Sequence, residues 1–152
     1  MKLRLRPAAS LLAAALLLAS AQPASALEYR STGRAALLYD APATTAARIA
    51  VAGSGLPLEV VVDTEAWGRV RDPNGRLAWI EKSALGGART VMVTGDASVV
   101  RQQPRADAEV VFRVARGVLL ELTGHADAQG WLPVRHANGL AGWLPMNEAW
   151  GR

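Results

Sequence analysis

The sequence contains no cysteine. That excludes disulfide cross-links, a lipid-modified N-terminal cysteine and any thiol nucleophile, so an exported form of the chain must hold together by its core alone. Histidine is almost as scarce, and the two present, His125 and His136, lie in or beside predicted loops of the second half. Two imidazoles with Asp127 nearby fall short of a metal site, and no strained nucleophile turn accompanies them. The sequence therefore predicts no catalysis, no metal and no cofactor. Excess charge is missing as well. Seventeen basic residues face thirteen acidic ones, but Lys2, Arg4 and Arg6 precede residue 27 and no acidic residue does, which leaves fourteen against thirteen. A nearly neutral body has no bulk attraction for nucleic acid or anionic lipid, so nucleic-acid binding is not expected.

A long apolar run occurs once, from Ala8 to Ala21, behind the three positive charges. It has the length of a signal-peptide core and is shorter than the roughly 20 residues that span a bilayer. Pro23 and the small residues Ala24-Ser25-Ala26 complete a cleavage pattern. Residues 1–26 are expected to be a cleaved signal peptide, which places the remainder in the periplasm or outside the cell, with no stable membrane insertion.

From residue 27 onward the chain is one module written twice. Set 62 positions apart, Thr32, Gly33 and Ala35 fall on Thr94, Gly95 and Ala97, Pro42 on Pro104, Gly55 on Gly117, and Leu58-Glu59 on Leu120-Glu121. Past the middle the offset becomes 64: Trp67 falls on Trp131, Val70 on Val134, Asn74-Gly75 on Asn138-Gly139, and Trp79 on Trp143. Two extra residues around Ala126 to Gly130 account for the change, in a stretch whose composition suits a surface loop. The expected domains are 27–86 and 89–151. Each is near the lower size limit for independent folding, so the copies are expected to lean on one another.

Within each copy the signals are for short strands. Leu56 to Val62 has aliphatics at every second position, Trp67 to Arg71 follows, and Asn74-Gly75 separates it from Leu77 to Ile80. The second copy repeats this with Val118 to Leu122, Trp131 to Arg135, Asn138-Gly139 and Leu140 to Leu144. Asn-Gly between apolar runs signals a hairpin, because both residues tolerate positive φ. No helical periodicity competes. The reading is all-β, with about five short strands per copy closing into a small barrel.

Trp67, Val70, Asn74, Gly75, Ala78, Trp79 and Ile80, and again Trp131, Val134, Asn138, Gly139, Gly142, Trp143 and Leu144, form a repeated pattern: a Trp-led strand, an Asn-Gly turn and a small-Trp-aliphatic triplet. The pattern resembles the bacterial SH3 (SH3b) domains. An early arginine of that family is matched by Arg101, whereas Tyr39 stands at its place in copy one. Ala36-Leu37-Leu38-Tyr39-Asp40 is also similar to a groove segment of eukaryotic SH3 domains, and Gly142 to Asn147 to another, but the two segments sit in different copies. The resemblance implies a non-catalytic, exported module that recognises a cell-wall element, the peptidoglycan peptide, or an extended segment of a partner. The alternative is a structural or regulatory subunit in the periplasm that binds another envelope protein, such as a wall hydrolase.

Strand alternation sorts the candidate residues. Gly68 and Val70 point one way and Trp67, Arg69 and Arg71 the other, while Leu132 and Val134 oppose Trp131, Pro133 and Arg135. Aliphatics belong inside and arginines in water, so both tryptophans are expected on the solvent side. A flat ring there can stack on prolines or sugars while guanidinium groups hold carboxylates. It can equally lie under a loop or against the other copy. The candidate ligand-binding residues are Tyr39, Trp67 and Arg69 in copy one, and Arg101, Trp131 and Arg135 in copy two. Copy two keeps more family-like positions and is the one expected to bind if only one does. Trp79 and Trp143, also outward, are expected to form the interface between copies.

Overall fold

The computed structural model describes residues 27–152, so the segment read as a signal peptide lies outside the described residues. The chain folds as two all-β units in tandem, with strands that are short because turn residues recur every few positions. Copy one carries β1 (Glu28–Ser31), β2 (Ala36–Tyr39), β3 (Arg48–Ala52), β4 (Pro57–Asp63), β5 (Trp67–Arg71) and β6 (Leu77–Glu81). Copy two carries β7 (Thr90–Val93), β8 (Ala97–Arg101), β9 (Val110–Ala115), β10 (Leu119–Leu122), β11 (Trp131–Arg135), β12 (Ala141–Pro145) and β13 (Ala149–Trp150). The spatial orders are β1-β4-β5-β6-β2-β3 and β13-β7-β10-β11-β12-β8-β9.

The closed five-stranded barrel expected from the sequence becomes an open, curled sheet of six or seven strands. The extra strands are β3 in copy one and β9 with the short β13 in copy two; β3 and β9 arise because the loops after Pro42 and Pro104 return as hairpin partners of β2 and β8. No ladder joins the outer strands of either sheet. After a single 3-10 turn the chain returns to the edge of its first strand, through an isolated bridge between Thr32 and Leu85 in copy one and through the two-residue β13 on β7 in copy two.

Alternation puts Leu38, Leu58, Val70 and Ile80 into one core and Val100, Leu120, Val134 and Leu144 into the other, all essentially without solvent contact. Each such side chain contributes on the order of 1.5–3 kcal/mol. The matched pairs Leu58 and Leu120, Val70 and Val134, Ile80 and Leu144 show that duplication preserved the core face.

In the first strand the repeat is offset by 61, not 62. Thr32 N–H donates to Leu56 O as Val93 N–H does to Val118 O, and Gly33 N–H donates to Ala84 O as Thr94 N–H does to Glu148 O. Thr32 is thus the counterpart of Val93. Copy two holds one extra residue in the turn before Ala97, and a chance match of Thr-Gly with Thr-Gly hides it. The turns also differ from the expected form. Only the glycines have positive φ, +82° at Gly75 and +91° at Gly139. Asp72 accepts the Asn74 and Arg76 amides at 2.9 Å each through its carboxylate. Three-residue loops of this kind place only the last residue in the left-handed region. His136 has the place of Asp72, and its Nδ1 accepts the Asn138 amide at 3.3 Å.

The copies meet through equivalent strands, β1 and β7. Thr90 N–H donates to Ser31 Oγ at 2.9 Å, and Thr90 Oγ1 donates to Gly55 O at 2.5 Å. The Ser31 hydroxyl therefore donates to Thr90 Oγ1, 2.8 Å away, and both hydroxyls are satisfied. Tyr29 and Trp150 pack edge to face at 5.3 Å. Gly151, at φ +99°, lies so close to Pro57 that a Cβ would stand 2.6 Å from the proline Cβ. Trp79 and Trp143, expected at this junction, take no part in these contacts. They stand in the middle of their sheets, opposite Arg69 and Tyr39 on β5 and β2, and opposite Pro133 and Arg101 on β11 and β8.

Candidate binding face on copy one

Strand β5 is anchored by its apolar residues: Val70 is fully buried, and Gly68 is buried with room for little more, since a Cβ would meet Leu85 at 3.3 Å. Trp67 and Arg69 are thereby turned outward, Trp67 half-buried and Arg69 exposed. The turn before Trp67 is fixed by Thr64, whose hydroxyl accepts the Trp67 amide at 3.1 Å and donates to its carbonyl at 2.7 Å. The indole packs edge to face on Tyr39, with ring centroids 5.5 Å apart and an interplanar angle of 85°. Tyr39 itself is only 6% exposed. It is the floor that orients Trp67 and has little surface of its own to offer a ligand.

One flank of Trp67 borders an open hollow of about 520 Å³, lined by Thr44, Glu65, Ala66, Trp67, Glu81, Lys82 and Ser83. Glu81 also borders a second hollow of about 350 Å³ that includes Arg34, Leu37, Tyr39 and Val51. The two hollows share Glu81 and flank the Tyr39–Trp67 pair, Tyr39 lining one and Trp67 the other, and together they are termed the groove. Arg69 is not among the lining residues. The polar groups beside the indole are two carboxylates, one ammonium and two hydroxyls, where strand alternation alone suggested a guanidinium. Glu81 was legible in principle: counting back from the Gly75 turn pairs Arg71 with Leu77, Arg69 with Trp79 and Trp67 with Glu81. Glu65, Thr44 and Ser83 come from loops and carry no such signal.

The Lys82 ammonium is engaged by Asp63, at 2.7 Å, and by donation to Thr64 O at 3.1 Å. Its hydrogen bond is the main reason the Asp63 carboxyl lies below its ordinary range, with a further pull from Arg30. A lowered carboxyl pKa contributes stability that is complete above the unfolded value and is lost as pH falls through the folded one. Lys82→Ala is expected to move the Asp63 titration back up towards the ordinary carboxylate range in a carboxyl NMR titration. An unmoved midpoint would remove Lys82 as the cause.

Copy two does not reproduce this arrangement. Trp131 is half-buried, with its amide donated to Asp127 Oδ1 at 2.8 Å. At the place of Tyr39 stands Arg101, whose guanidinium donates to Ala108 O at 2.7 Å and so ties down the loop between β8 and β9. Arg135 lies four residues along β11 from Trp131, about 13 Å at strand rise, and its nearest acidic neighbour is Glu121 at 3.9 Å. In copy two, then, Arg135 stands away from Trp131 and Arg101 is engaged with its own loop, whereas in copy one Tyr39 and Trp67 are brought into contact. Among the described residues no group of three or more His, Cys, Asp or Glu side chains could hold a metal ion.

No curated protein matches the chain significantly. Among solved structures it is similar to NlpC2 from Trichomonas vaginalis at 10% identity and a TM-score of 0.38, over 82% of this chain and 47% of that one. NlpC1 from the same organism matches at 10% identity and 0.38, over 90% and 50%. The chain thus spans about half the length of these structures, and so loose a superposition carries no argument. The family pattern described as Bacterial SH3 domain matches residues 33–87 and again residues 94–151. Those two segments make up most of the chain, each on one of the two sheets, and the protein belongs to the bacterial SH3 domain family.

Proposed function

We propose that this protein is an exported, non-catalytic binding module that takes an extended segment, foremost the peptide of peptidoglycan, across the Tyr39–Trp67 groove of copy one. The observation that carries this reading is Trp67 itself. The ring is turned outward from its strand, braced on one side at 5.5 Å by a buried tyrosine, and borders an open hollow on another. A braced aromatic loses little conformational freedom on binding and offers a flat apolar face, which is how such rings anchor extended ligands. Copy two supports the fold through the β1–β7 junction, and its own tryptophan face is secondary.

A partner protein in the envelope, such as a wall hydrolase, is the second reading. It is favoured by β3, an edge strand with Ile49 and Val51 exposed, Val51 at 68%. An unpaired apolar edge can accept a strand from another chain. Co-sedimentation with purified sacculi over a salt series separates the two. Sedimentation that persists at moderate salt supports the wall peptide. Absence of sedimentation at any salt, with discrete cross-linked complexes in envelope extracts, supports the protein partner.

A further inference from the structure

Resting on the proposed groove, the chemistry around Trp67 narrows what it takes. Glu81 is the direct cross-strand partner of Trp67, so its side chain leaves the sheet on the same face. Glu65 lines the same hollow, and among the described residues it has no salt bridge and no side-chain hydrogen bond. The nearest cation to Glu81 is Arg34, 3.9 Å away and itself 57% exposed, too loose to neutralise it fully. Lys82, the one basic residue lining this hollow, already has Asp63 as its counter-charge. Two carboxylates, Glu65 without a salt bridge and Glu81 with only the loose Arg34 pair, therefore line the hollow beside the half-buried indole, together with the hydroxyls of Thr44 and Ser83.

We propose that the Trp67 hollow recognises a free ammonium group on an extended peptide, such as the side-chain or terminal amine of a diamino acid. The ammonium sits against the indole face, where the ring quadrupole attracts a cation, and Glu65 and Glu81 accept its hydrogen bonds. A carboxylate-bearing ligand would meet repulsion from both glutamates. The rest of the peptide then runs past Tyr39 into the second hollow, over Leu37 and Val51.

The test compares sedimentation of the full protein with sacculi and with sacculi whose amines have been acetylated. Wild type, Glu65→Gln/Glu81→Gln and Trp67→Ala are run on both. Acetylation is expected to weaken wild-type binding roughly tenfold, and the double glutamine variant is expected to bind native sacculi weakly and to respond little to acetylation. Wild-type binding unchanged by acetylation, yet lost in Trp67→Ala, would overturn the ammonium assignment and leave the groove standing. Binding unchanged in Trp67→Ala, or absent altogether, would overturn both.

Discussion

Gly142→Ala is expected to destabilise the protein by about 2–3 kcal/mol, a cost at the upper end for overpacking a well-filled interior. The reason is a close approach of strands. A Cβ at position 142 would stand 2.6 Å from the Arg101 carbonyl oxygen and 2.7 Å from Val100 Cγ1. The first of these is backbone and cannot rotate away, so β8 and β12 must separate. The ladder between them is already thin, with Trp143 and Arg101 its one registered pair. The same position in copy one is Ala78, buried at 3% exposure, and there the neighbouring strand stands far enough off to admit the methyl group. Against a total stability of roughly 5–15 kcal/mol, the loss should lower the urea midpoint clearly. Ala78→Gly should cost only about 1 kcal/mol, mostly from backbone freedom. An unchanged midpoint for Gly142→Ala would mean the two strands part at no cost and the packing argument is wrong.

Trp150→Ala should cost a comparable amount, about 2–3 kcal/mol, below the 3–5 typical of a fully buried aromatic because the ring is half-exposed. Its edge contact with Tyr29 joins the copies, so removing it leaves Tyr29 facing a void at the junction. Trp150→Phe is a sharper variant. The indole Nε1 is buried without a hydrogen-bond partner, and an unmet donor of that kind costs about 1–3 kcal/mol. Phenylalanine keeps an aromatic contact and removes the donor, so its stability should equal or exceed that of wild type. Denaturant midpoints for the two variants check this. A Phe variant as unstable as the Ala variant would show that the indole nitrogen, or the full ring width, is what the junction needs.

Much of the fold is legible in the sequence, and the failures share a cause. The inside-outside sorting of β5 and β11 follows from alternation alone: Gly68, Val70, Leu132 and Val134 are buried and Trp67, Arg69, Trp131 and Arg135 are not. The duplication and the loop insertion before Trp131 are visible for the same reason, because cores and turns restrict residue type. Contacts between elements are not visible. That Tyr39 braces Trp67, that Arg101 clamps its own loop, and that the copies join through Ser31 and Thr90 all depend on how curled sheets sit in space. The one-residue shift in the first strand is hidden by a chance repeat of Thr-Gly. The carboxylates around Trp67 come partly from loops, where no periodicity fixes direction.

The groove of copy one is the central claim, and single substitutions in the full protein test it most directly. Sedimentation with sacculi is measured for wild type, Trp67→Ala and Trp131→Ala, each shown by circular dichroism to keep its fold. Truncating a braced aromatic anchor typically costs about 2 kcal/mol or more of binding, so Trp67→Ala should weaken binding at least about tenfold, with Trp131→Ala close to wild type. A folded Trp67→Ala that sediments as wild type does, or a Trp131→Ala that alone loses binding, would contradict the account.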